Sequence, residues 1–216
     1  MRLPQSPRSR ENTTLLSGLT PYTGPWGKRE VLHLLRRTTF GTKKDHVATL
    51  LDLDLESALE VLFIPEDTPS PPVNEYQQQS TDTEVPEGQT WINAAWVGGD
   101  GTVDWLRMMT LKNWWSQQIY NQSLSIHQKL IFFLQSFVTN NYSGSGNPHQ
   151  CYYHFMLFFD RAFGSYKEFI KEVTILPLTL SYLNGNVNVV GSPDENYARE
   201  LQELFTIGKG PDSGYT

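Results

Sequence analysis

Cys151 is the only cysteine in the chain. A single thiol can build neither an intramolecular disulfide nor a thiolate metal cage. Its place in an apolar run reads as a buried, inert side chain, because His149 and His154 are near in sequence but not at spacings that assure contact. Basic residues are also in short supply: 17 Lys and Arg stand against 23 Asp and Glu, for a formal charge of -6. This balance argues against nucleic acid as a partner, since displacing phosphate counterions needs a basic surface. Lys28, Arg29, Arg36, Arg37, Lys43 and Lys44 do cluster near the start, and read as the solvated outer face of helices.

Long apolar runs are missing too. No stretch of about 18 apolar residues could form a membrane span. The opening MRLPQSPRSRENTTLL lacks the continuous apolar core of an export signal, which favours a cytoplasmic location. There is no HExxH, no Walker loop, no GxGxxG and no GxSxG, and the histidines at 33, 46, 127, 149 and 154 are scattered. No metal and no cofactor is therefore expected.

What is present is aromatic weight and helical periodicity, and together they predict an all-α fold: an irregular multi-helix bundle with a long polar insertion. Residues 1–27 form a polar arm, and 28–216 a single helical domain. Helices are expected from about 28 to Gly41, 43–51 and 55–63. The Pro-, Gln-, Ser- and Thr-rich stretch at 65–101 reads as an irregular insertion, with Trp91 and Trp96 packing part of it back onto the domain. Over 103–121, Trp105, Met108, Leu111, Trp115 and Ile119 make a core stripe, with Trp114 on the opposite side. Ser125 and Gln128 suggest a capping box for a helix so apolar all round that it belongs at the bundle's centre. YYHFMLFF at 152–159 continues as helix; Ser165 caps another, Pro177 starts a short one, and NVNVVG at 186–191 reads equally as a small β-hairpin or a loop.

The densest ionisable segment is SPDENYARELQELFTIGKG, 192–210. Ser192 as N-cap, Pro193 in the first turn and Glu195 as the capping-box partner predict a helix ended by Gly208. Glu195, Arg199 and Glu203 follow at four-residue steps as a solvated ladder. Glu200 falls at the border of the apolar side, where a carboxylate wants a partner. An arginine from another helix (Arg36, Arg37 or Arg161) would satisfy it; in a cleft it could instead serve as an acid or base. Five tryptophans between Trp91 and Trp115 add a second idea, a stacking platform for a ligand at Trp96 or Trp114, against core packing as the plainer role.

Three motifs, HLLRRTTFG at 33–41, YLNGN at 182–186 and DENYARELQELFTIGKG at 194–210, give a resemblance. The chain resembles the bacterial family called domain of unknown function 1800, most closely its Bacteroidetes versions. The resemblance implies a mainly helical protein with no established activity, often exported, often encoded beside a second uncharacterised family, and longer than this chain. Many members carry Trp-His-Asn-His-Phe in the central helix, where this chain has Phe133, Leu134, Gln135, Ser136 and Phe137; both histidines are gone. The resulting expectation is a non-catalytic or degenerate binding or scaffold module of a surface or envelope-associated assembly, its protein partner the product of a neighbouring gene. The alternative is a hydrolase-like enzyme using Glu200 and Glu203 with Arg199.

Overall fold

The computed structural model describes residues 20–76, 82–97 and 101–210, so most of the expected polar arm lies outside the described residues. Within them the fold is all-α. In chain order the helices are α1 (Lys28–Thr38), α2 (Lys44–Leu51), α3 (Leu55–Leu62), α4 (Gly101–Asn121), α5 (His127–Phe137), α6 (Tyr142–Ser145), α7 (Pro148–Arg161), α8 (Tyr166–Val173), α9 (Pro177–Tyr182) and α10 (Glu195–Glu203). The 186–191 stretch resolves as a short 3-10 turn and a single bridge between Val189 and Ser192 rather than a hairpin of strands.

The apolar residues gather in two clusters. The smaller joins α1, α2 and α3 through Val31, Leu35, Leu50, Ala58 and Leu62, with Trp26 packed beside them. The Trp26 indole N–H reaches the Leu53 carbonyl at 2.9 Å and closes this unit from its N-terminal side. The larger cluster centres on α7, whose Cys151, Tyr152, Phe155, Phe158 and Phe159 are buried against α4, α5, α8 and α9.

A polar latch ties the two units together. The Ile126 N–H donates to Leu62 O at 2.9 Å, and the Ser125 hydroxyl donates to Ile64 O at 2.6 Å. The Glu66 carboxylate accepts from the Ser123 N–H, the Ser123 hydroxyl and the Gln128 amide. His127 Nδ1 accepts the Glu66 N–H, so its proton sits on Nε2 and is donated to Phe159 O at 2.8 Å. Ser125 lies one residue before the N-cap Ile126, and its hydroxyl accepts the His127 N–H at 3.2 Å at the start of α5; Gln128 does not complete the capping box, because its amide is spent on Glu66.

Two helices turn differently from their apolar pattern. In α4 the buried face is Val103, Arg107, Thr110 and Trp114, with Leu106, Met108 and Leu111 beside it, while Trp105 is 59% exposed. The cause is the insertion, which packs on α4 and supplies polar partners. The Trp91 indole donates to Thr110 Oγ1, Trp114 donates to Ser70 O, and Arg107 pairs with Asp82 at 2.9 Å and donates to Ala95 O. In α5 only Ile131 and Leu134 among the apolar residues are buried; α7 holds the centre instead, leaving Phe132, Phe133 and Phe137 at 49%, 61% and 45% exposure.

The Arg107–Asp82 pair has side chains only 2% and 4% exposed. Removing one partner leaves a buried charge, at a cost of about 3–5 kcal/mol. Asp82→Ala is thus expected to lower the melting temperature by on the order of 10 °C. The double change Asp82→Leu with Arg107→Met is expected to recover most of it; scanning calorimetry on the three proteins reads both.

Candidate functional site

The C-terminal motif folds around a different cap from the one its spacing suggests. Asp194 is the N-cap of α10 and accepts the Tyr197 N–H at 3.0 Å, so Ser192 and Pro193 lie before the helix. A carboxylate there also faces the positive end of the helix dipole, an advantage a serine lacks. Arg199 does not pair along a ladder with Glu195. Its Nη2 donates to Asn196 Oδ1 and to Glu200 Oε1, both at 2.9 Å. Glu200 thus finds its arginine on its own helix, while Arg161 is engaged by Glu172. Glu203 is the buried carboxylate of the three, 9% exposed, with Lys209 at 3.5 Å. Nearby Phe205 is 2% exposed in the main cluster, whereas Leu204 turns outward at 54%.

The two candidate tryptophans part company. Trp114 is 7% exposed and packs edge-on against Phe155, so it offers no free face. Trp96 is 57% exposed, and its indole N–H donates to Asp104 Oδ2 at 3.0 Å. Trp105, read from its spacing as core, lines the same open cavity as Trp96, about 540 Å³ in volume.

Three features were not singled out in the sequence. The first is the exposed aromatic face of α5. Phe40 meets Phe132 edge-on with ring centroids 5.5 Å apart, Phe133 stacks on Phe137, and Phe137 leans on Tyr166. The second is a cavity of about 530 Å³ beside α1, where Glu30 and His33 sit at a Glu-x-x-His spacing. The Glu30 carboxylate is already engaged by Arg29 at 3.3 Å, and among the described residues no three His, Cys, Asp or Glu side chains gather to hold a metal ion.

The third is the polar cluster around His154, which is fully buried. The Asn140 amide donates to Nε2 at 2.8 Å; with that amide orientation Nδ1 carries the proton and donates to Tyr142 Oη at 2.7 Å. Gln135, on α5, donates to the same hydroxyl at 3.2 Å. Cys151 on the same helix is buried, and burial pushes its thiol up to about 12, so it stays protonated and unreactive at neutral pH. Cys151 and His154 therefore do not form a nucleophile–base pair: the imidazole faces Asn140 and Tyr142, and the thiol faces Tyr142 O.

Desolvation by burial lowers His154 from 6.5 to about 3. The unfolded chain takes up a proton below pH 6.5 that the folded chain refuses, so this residue's contribution to stability falls as pH drops from 6.5 toward 3. Between pH 7 and pH 5 the loss is about 2 kcal/mol. His154→Gln is expected to remove that much of the pH dependence, measured by denaturant unfolding at the two pH values. An unchanged dependence would assign the titration to another group.

Residues 33–216 match the model of a family described as "Protein of unknown function (DUF1800)". Comparison with curated proteins and with solved structures gives no match. Among the described residues no helix is long and apolar enough to cross a membrane. The family match spans well over half the chain and takes in all three sequence motifs, from His33 to Gly210. The chain belongs to the domain of unknown function 1800 family.

Proposed function

We propose that this chain is a helical binding module that holds a protein partner against the aromatic face of α5, within a surface or envelope-associated assembly. The observation that carries the reading is the exposure of Phe132, Phe133 and Phe137 along α5, extended by Phe40 beside Phe132 and by Tyr166 beside Phe137. Scattered exposed apolar residues are ordinary, but contiguous ones mark contact surfaces, and buried aromatics supply most of the energy of such contacts. Lys129 sits 4.0 Å from the Phe40 ring centroid at the edge of this face. The partner surface that fits is therefore apolar with an acidic group at its rim. The assembly follows from the export common in similar proteins, and a neighbouring gene's product is the first partner to test.

The hydrolase-like reading has less behind it. The Arg199 guanidinium is engaged by Asn196 and Glu200 on its own helix, and Glu203 is close to Lys209, so this group is already committed to its neighbours.

Phe133 is exposed and free of hydrogen-bonding duty, so Phe133→Asp is expected to change stability by less than about 0.5 kcal/mol. Binding of the purified neighbouring gene product by the full-length protein, read by calorimetry, is expected to weaken at least tenfold. A photocrosslinker at position 133 in the native cells should capture the same partner, and one at the exposed Trp105, near the start of α4, should not. Equal capture at both positions, or binding indifferent to Phe133→Asp, overturns the reading.

A further inference from the structure

We infer that the cavity between Trp96 and Trp105 is a carbohydrate-binding groove that takes a neutral glycan chain. It lies on the insertion side of α4, and the inference stands independently of the α5 face. Two indoles line it, and both are more exposed than buried, at 57% and 59%. A folded chain ordinarily covers so large an apolar side chain, and Trp91 and Trp114, from the insertion and from α4, are covered.

Trp96 is also oriented. Asp104 is 8% exposed and takes the Trp96 indole N–H at 3.0 Å, which fixes the ring at the rim before a ligand arrives. Fixing the platform in advance lowers the entropy lost on binding. Around the indoles the cavity wall carries Lys112, Ser143 and Ser145 as well as Asp104. The wall therefore combines flat aromatic surface with polar side chains that donate and accept.

That combination selects the ligand class. Sugar rings present an apolar C–H face, which stacks on an indole, and a rim of hydroxyls that both donate and accept. The serine hydroxyls can donate or accept and Lys112 donates, so ring hydroxyls find partners of both senses on the wall while Asp104 holds Trp96. A nucleic-acid strand would also stack on indoles, but the chain's net charge of -6 opposes its phosphates. A proline-rich peptide uses aromatic grooves too, yet it offers few donors to the Ser143 and Ser145 hydroxyls of the wall. At about 540 Å³ the cavity falls within the roughly 300–1,000 Å³ of small-molecule sites, room for a short run of sugar rings.

The test is titration of the full chain with cello-, xylo-, manno- and laminari-hexaose and with a decaproline peptide, followed by tryptophan fluorescence and calorimetry. At least one hexaose is expected to bind, and Trp105→Ala is expected to weaken it at least tenfold. Trp105 is exposed, so this variant should keep its melting temperature, while Tyr120→Ala, at a residue 82% exposed and away from the cavity, should bind as the parent does. Absence of binding by all four sugars overturns the inference. So does sugar binding that survives Trp105→Ala, or decaproline binding in place of sugar.

Discussion

Burial of α7 is the constraint on which the rest of the larger unit depends. Its Phe155 and Phe158 are covered on every side, and α4, α5, α8 and α9 are the elements that cover them. A helix with this many aromatic side chains gains several kcal/mol from losing its water, more than any competing helix can offer. Its buried imidazole, His154, is tolerated because Asn140 and Tyr142 occupy both ring nitrogens and the ring stays neutral.

Giving the centre to α7 moves α5 to the side. Only one stripe of α5 is then buried, and its start is held by the Glu66, Ser125 and His127 latch. The remaining phenylalanines stay outside with Phe40 and Tyr166. The proposed protein-binding face is thus a by-product of competition for the core: more aromatic surface is encoded than one core of this size encloses.

The insertion has an equal effect on α4. By contributing Trp91 to the core and Asp82 to Arg107, it turns the helix so that Arg107 and Thr110 face inward and Trp105 faces out. Apolar periodicity assigns faces by counting apolar residues, and it fails where a neighbouring segment brings polar partners. The same limit explains α10. Four-residue spacing suggests Glu195 for Arg199, but side-chain geometry brings Asn196 and Glu200 to the guanidinium. Cap positions were legible to within a residue or two, since Ser, Asp and Asn compete for the same N–H groups and Asp194 prevails over Ser192.

By itself, the sequence determined the all-α class, the approximate span of nearly every helix, the inert buried cysteine and the family. These are readable because turn residues, helix periods and single-residue counts are local properties of the chain. The tertiary structure alone decided which aromatics lie outside, that Trp114 is core and Trp96 is not, and that Glu203 rather than Glu200 is the buried carboxylate. Those outcomes depend on which of several apolar faces wins a limited interior and on polar partners dozens of residues away, such as Asp82 for Arg107 and Phe159 for His127. No local pattern carries that information.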